Sequence, residues 1–224
     1  GISCNGGCGP EPPPVAAFSA TRAGGNIVVP MLADLSPPPP SNVSDLLAWV
    51  DNDCSDSREL YSDGCTPLNG ILRDMFRYYS SQWVFPSNIV PNPNIPVVSP
   101  LISVALGERP CRSVNVILVT DGDDTCDVNP ADAVDAAKKL FAGFNKDGID
   151  WKVRTYVINF SGGTKANTDQ IARAGTGDLT PATADANDPV GVTSSFQAEN
   201  EVDISLALSQ IIGNSIQTET CDNK

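Results

Sequence analysis

Apolar positions change their period along this chain, and the changes mark out its elements. Leu68, Ile71, Leu72, Met75, Phe76 and Tyr79 fall at i, i+3, i+4, i+7, i+8 and i+11 and so share one face of a helix. Pro67 ahead of them suits a first helical turn, where a missing N–H costs nothing. Val114-Asn115-Val116-Ile117-Leu118-Val119-Thr120 is instead an apolar, β-branched run that stops abruptly at Asp121-Gly122, the pattern of a buried strand in a parallel sheet. A helix is expected over about residues 130–145, a strand over 152–160, a small helix around 169–173 and a short strand at 195–198. A closing helix follows, with Ile204, Leu208, Ile211 and Ile212 on one face. Strand alternating with helix predicts an α/β fold, a doubly wound, mostly parallel sheet flanked by helices, with ligand sites at the carboxyl ends of its strands.

The flanking stretches read differently. Residues 1–14, rich in Gly and Pro and carrying Cys4 and Cys8, predict a stapled loop. Two short strands at 15–20 and 26–32, joined by a turn, lead into the polyproline stretch 37–40. A short helix opens at Asn42-Val43-Ser44 and runs through Leu46, Leu47 and Val50, and an acidic loop over 51–65 follows. Residues 85–110 hold prolines at 86, 91, 93, 96, 100 and 110, which deny them ladder hydrogen bonds and predict a Pro-rich surface insertion, with Trp83 and Phe85 as core anchors at its entry.

Composition narrows the chemistry. Fourteen Lys and Arg against 27 Asp and Glu leave a net charge of -13, which repels phosphate backbones and argues against a nucleic-acid partner. No apolar run approaches the ~20 residues that cross a bilayer, so no membrane insertion is expected. Histidine is absent, which removes Ser-His-Asp and Cys-His nucleophile systems and every His-containing zinc site. The seven cysteines contain no CxxC pair and fall close together in sequence. That spacing predicts disulfides Cys4–Cys8, Cys54–Cys65 and Cys111–Cys126, with Cys221 paired outside the chain, in an oxidising, extracellular or cell-surface compartment. No basic and apolar leader precedes Cys4, so a mature or internal start is expected.

Two segments carry a family resemblance. Gly64-Cys65-Thr66-Pro67-Leu68 ahead of an amphipathic helix, and Val116-Ile117-Leu118-Val119-Thr120-Asp121-Gly122 ending a buried strand, resemble the second and third metal-binding loops of the von Willebrand factor A domain. The likeness continues through the strand at 153–160 and through Phe196-Gln197-Ala198 before the last helix, covering about residues 15–216. It implies a metal-ion-dependent adhesion site in which Thr66 and Asp121 help to hold Mg²⁺ or Ca²⁺, and the cation's open position accepts a carboxylate from a protein or surface ligand. Hydroxyl and carboxylate oxygens with low total charge suit a hard cation that still lacks an anionic oxygen.

The family's Asp-x-Ser-x-Ser loop has no match. Asp34-Leu35-Ser36 runs into Pro37-Pro38 where the family has a serine and a helix. The resemblance therefore implies a domain without its first strand and helix, and a central slot filled by another polypeptide, because an apolar strand left beside it would expose an unpaired edge. Glu219-Thr220-Cys221-Asp222-Asn223 resembles the start of a calcium-associated repeat, so residues 217–224 are expected to open a C-terminal linker or repeat. Together these imply a piece of a larger surface or pilus-tip adhesin, with pilins among its partners and no catalysis. A rival reading uses the same strand: Asp121-Gly122-Asp123-Asp124-Thr125 also fits the D-x-D-x-T pattern of magnesium-dependent haloacid-dehalogenase-like phosphatases, with Asp121 as nucleophile and Asp123 as general acid. Asp51-Asn52-Asp53 and the acidic pair at 185 and 188 lack the sixth-position Gly of an EF-hand and read as solvated turns.

Overall fold

The computed structural model describes residues 29, 31, 42–50, 66–82, 99–103, 113–125, 129, 131–160, 163–177 and 194–217. In chain order these form α1 (Val43–Leu47), α2 (Leu68–Ser80), a 3-10 turn (Pro100–Ser103), β1 (Val114–Thr120), α3 (Ala131–Ala142), β2 (Phe144–Lys146), β3 (Ile149–Trp151), β4 (Val153–Phe160), α4 (Lys165–Thr176), β5 (Phe196–Ala198) and α5 (Glu201–Gln217). The strands β1, β4 and β5 make a parallel sheet in that order, with Val114 opposite Val153, Thr120 opposite Asn159, and Ile158 opposite Phe196. The fold is mixed α/β, a parallel three-stranded sheet flanked by helices, compatible with a Rossmann-like arrangement.

Pleating sends alternate side chains of β4 to opposite faces, and both faces are covered. Val153 and Val157 join Val114, Val116 and Leu118 of β1 under α2, α3 and α4, where Leu72 and Leu140 are fully buried. Tyr156, Ile158 and Phe160 face the other way, packing with Phe196 and Ala198 against Ala207 and Ile211 of α5. This two-sided burial leaves no position of β4 exposed, and it takes in the polar Thr155 and Asn159 as well as the apolar residues. Gly175 lets α4 lie close on β4: a Cβ there would sit 2.5 Å from Thr155 Cβ and 2.7 Å from the Thr155 carbonyl oxygen.

Four expectations need correction. The helix expected over 130–145 ends at Ala142, because Gly143 adopts φ 85 and turns the chain into a β2–β3 hairpin. The hairpin turn is Asp147-Gly148, both at positive φ, the pairing that matches the twist of the flanking strands. The helix around 169–173 extends over Lys165–Thr176. Ile212 faces solvent rather than the sheet, and Ala207 takes its place on the buried side of α5. Within the Pro-rich stretch, the segment 99–103 is not superficial: Leu101 enters the core, and the buried Ser99 hydroxyl donates to the Tyr79 carbonyl at 2.6 Å. The remainder of the insertion (85–98 and 104–110) with Trp83 at its entry, the 1–14 loop, the strands at 15–20 and 26–32 apart from Val29 and Met31, the polyproline stretch 37–40, the whole 51–65 loop, the acidic pair at 185 and 188, and residues 218–224 lie outside the described residues. So do Cys4, Cys8, Cys54, Cys65, Cys111, Cys126 and Cys221, and with them every proposed disulfide.

The burial of Tyr79 makes stability depend on alkaline pH. Desolvation, and secondarily the neighbouring Tyr78, push its phenol up to about 12. The unfolded chain releases that proton near pH ~10 while the folded chain keeps it, so unfolding releases a proton in that window and stability falls as pH rises. The expected loss is about 1–3 kcal/mol between pH ~9 and pH ~12. Urea midpoints measured across this range should drop in the wild type and drop less in Tyr79→Phe; equal drops would contradict the assignment.

Candidate metal centre

The carboxyl ends of β1 and β4 gather a compact set of polar groups, and the loop after β1 organises them. Thr120 Oγ1 donates to the Gly122 carbonyl at 2.7 Å and accepts from the Gly122 N–H at 3.2 Å, so the chain reverses as soon as the strand ends. The next two acidic residues then anchor helix starts. Asp123 accepts from both the N–H and the hydroxyl of Thr164, at 2.8 and 2.5 Å, at the cap position of α4. Asp124 Oδ2 accepts from the Asn69 N–H at 2.7 Å in the first turn of α2. A carboxylate at a helix N-terminus satisfies free N–H groups and lies at the positive end of the helix dipole, so both acids have structural work in the folded chain.

Thr66 is clamped to the same loop by two backbone-linked bonds. Its N–H donates to Thr125 Oγ1 at 2.7 Å, and its carbonyl accepts from the Thr125 N–H at 3.0 Å. The cap position of α2 is Pro67, with no side-chain cap, so Thr66 does not spend its hydroxyl on capping the helix. That hydroxyl instead faces Gly122, 3.5 Å from where a Cβ would stand. Asp121, the residue before Gly122, is exposed. Among the described residues neither its carboxylate nor the Thr66 hydroxyl has a hydrogen-bond partner.

On the β4 side, Asn159 shapes the rim. It exchanges hydrogen bonds with Gly163 at 3.0 and 2.8 Å and donates to Gln197 Oε1 at 2.9 Å, tying β4 to β5. Gly163 has no room for a side chain, since a Cβ would come within 2.6 Å of Asn159 Oδ1 and 3.3 Å of the Gly122 carbonyl. Below the loop, Asp123, Asp124, Leu68, Ala133, Asn167, Thr168 and Ile171 enclose a cavity of about 20 Å³, room for one water.

The structure thus brings Thr66 to the turn that follows Asp121, though the two residues lie on segments far apart in sequence. Both offer hard oxygen donors, which suits Mg²⁺ or Ca²⁺ in kind. In number they fall short of the about six oxygens such an ion takes. Among the described residues no three Asp, Glu, Cys or His side chains group to hold a metal. Both oxygens of Asp123, the general acid of the phosphatase reading, are engaged by Thr164. Sequence reasoning placed Asp124 and Thr125 only in the D-x-D-x-T pattern and missed Thr164, Asn159 and Gly163, because the partners of all five lie on other segments. Comparison with protein-family models, curated proteins and solved structures finds no match.

Proposed function

We propose that the chain is an extracellular adhesion or protein-interaction module of the von Willebrand factor A kind, which binds Mg²⁺ or Ca²⁺ at the carboxyl end of its sheet through Thr66 and Asp121. The cation would recruit a carboxylate from a protein or surface ligand, within a larger surface or pilus-tip protein and without catalysis. One observation carries the reading. In a loop where Asp123, Asp124 and Thr125 are all committed to holding neighbouring elements, the Asp121 carboxylate and the Thr66 hydroxyl have no hydrogen-bond partner among the described residues, at one end of the sheet. A carboxylate kept clear of hydrogen-bond donors retains its affinity for a cation, and a rigid loop lowers the ordering cost of binding one.

No helix among the described residues is long and apolar enough to cross a membrane. The net charge of -13 draws cations toward the site and disfavours nucleic acid. With two protein ligands and the rest water, the expected dissociation constant lies at the weak end for extracellular sites, about 0.1–1 mM. Calorimetric titration of the 224-residue chain with MgCl₂ and CaCl₂ tests this. Saturable binding that weakens at least about tenfold in Asp121→Asn, and also in Thr66→Val, is expected, a difference worth about 1.4 kcal/mol. Binding that persists unchanged in Asp121→Asn would refute the assignment.

A further inference from the structure

We propose that the groove between the second half of α2 and α3 is a binding site for a small phosphate ester, held by Arg73, Arg77 and Lys139; this does not depend on the cation reading. The groove encloses about 340 Å³, at the small end of the range for ligand pockets. Its lining includes Arg73, Phe76 and Arg77 of α2, Gln82 just beyond that helix, and Asp135 and Lys139 of α3. Three cations therefore converge against one carboxylate, in a chain that has only 14 Lys and Arg and a net charge of -13.

Stability of the fold does not explain this convergence. Arg73 and Arg77 stand at i and i+4 on one helix, a like-charge spacing that is unfavourable. Arg77 and Lys139 lie in the last turns of their helices, where the dipole favours a cation, but Arg73 does not. Nor are the charges neutralised by pairing. Among the described residues Arg73 and Lys139 form no ion pair, and Asp135, the one carboxylate lining the groove, joins neither of them.

Each cation is instead steadied by a neighbour. Arg73 Nε donates to Asn69 Oδ1 at 2.7 Å, and its two terminal amino groups make no hydrogen bond among the described residues. Lys139 Nζ rests 4.6 Å from the centre of the Phe76 ring, a contact that places the ammonium without neutralising it. Arg77 Nη1 donates to the buried Asp74 at 2.9 Å, which orients the guanidinium. Groups fixed before the ligand arrives lower the ordering cost of binding it. Two planar guanidinium forks beside a compact ammonium suit phosphate, the forks by paired hydrogen bonds and the ammonium as a point charge. The three cations exceed the one carboxylate by two, which matches the charge of about -2 on a phosphate monoester near neutral pH. The acidic remainder of the chain opposes this weakly, because charges beyond a Debye length of about 8 Å are screened at physiological salt. The volume admits a phosphate with a few carbon atoms, which favours a small ester over a phosphorylated polypeptide.

The test is a titration of the full chain with β-glycerophosphate in metal-free buffer, followed by NMR of the arginine Nε–H and lysine side-chain signals. Saturable shifts at Arg73, Arg77 and Lys139 are expected, with the amides of Thr66, Asp121 and Gly122 unmoved. Arg73→Gln and Lys139→Gln should each weaken binding about three- to tenfold, and Asp135→Asn should tighten it about twofold. All three positions are exposed, so the variants keep the fold. Succinate, a dianion without phosphate's tetrahedral oxygens, should bind several-fold more weakly. Shifts that fail to saturate, or an affinity unchanged in both Arg73→Gln and Lys139→Gln, would overturn the proposal. Succinate binding as tightly as β-glycerophosphate would overturn the phosphate assignment. A phosphoserine peptide binding much more tightly than β-glycerophosphate would assign the groove to a protein partner and overturn the small ester.

Discussion

Asp169→Ala is expected to destabilise the fold by about 3–5 kcal/mol, the cost of removing one side of a buried charged hydrogen-bond cluster. Asp169 is fully buried on α4. Its Oδ1 accepts from both the N–H and the hydroxyl of Ser195, at 2.8 and 2.6 Å, and its Oδ2 accepts from Lys165 Nζ at 2.5 Å. Ser195 Oγ in turn lies 3.0 Å from Thr168 Oγ1 and accepts from Gln197 Nε2 at 2.8 Å. Gln197 closes the chain of contacts by accepting from Asn159. One carboxylate therefore fastens α4 to the start of β5, and through Gln197 to the rim of the candidate site.

Truncation to alanine strands the buried N–H of Ser195 and takes one acceptor from its hydroxyl, and the desolvation cost of such groups is what makes the effect large. Most of the loss does not come from the ion pair. The Lys165 side chain is 57% exposed, so Lys165→Ala should cost no more than about 1 kcal/mol. Asp169→Asn, which keeps an acceptor for Ser195, should fall between the two, at about 1–3 kcal/mol. Guanidinium unfolding of the three variants checks the ranking. A Lys165→Ala loss as large as that of Asp169→Ala would show that the charge pair, not Ser195, governs the cluster.

Leu140→Ala is the second large effect, at about 2–5 kcal/mol. Leu140 is fully buried on α3, within the cluster that α2, α3 and α4 form over β1 and β4. Helices pack on both sides of α3, and the sheet beneath presents the stiff β-branched Val114, Val116 and Val153. The hole left by three missing carbons therefore cannot close by a rotamer change, and the loss includes a cavity penalty as well as transfer free energy. The control is Ile212→Ala, on an exposed position of α5, which should change stability by no more than about 0.5 kcal/mol. Urea curves should show a lowered midpoint for Leu140→Ala at unchanged slope, since the surface exposed on unfolding is nearly the same.

What could be read from the chain before its fold follows from how far each signal reaches. β1 and α2 announce themselves because the period of their apolar residues is local and unambiguous, two-sided burial for one and a single stripe for the other. The start of α4 was missed because its first turns bury polar groups, Thr168 and Asp169, and its tight face uses Ala172, Ala174 and Gly175 rather than large apolar residues. The hairpin over 144–151 was hidden by Phe141 and Phe144, which prolong a helical apolar pattern past Gly143. The Asp147-Gly148 turn was the available sign of it.

At the candidate site the residues named from sequence, Thr66 and Asp121, sit on two recognisable loops. The grip that holds those loops was not legible. Asp123 and Thr164 meet across 41 positions, Asn69 and Asp124 across 55, and only the packed sheet brings them together. Such contacts turn an acidic run that could serve as a catalytic motif into two helix anchors and one carboxylate with no partner among the described residues, a division of labour invisible in the string Asp-Gly-Asp-Asp-Thr.

The measurement that bears most directly on the cation site is a residue-resolved titration. In ¹⁵N-labelled protein, adding MgCl₂ or CaCl₂ should shift the amides of Thr66, Asp121 and Gly122 along one saturating curve, with smaller changes at Gly163 and Thr164. The same titration of Asp121→Asn should leave these resonances unmoved. Shifts that are absent, or that appear elsewhere in the acidic chain and survive Asp121→Asn, would contradict a cation site at the carboxyl end of β1.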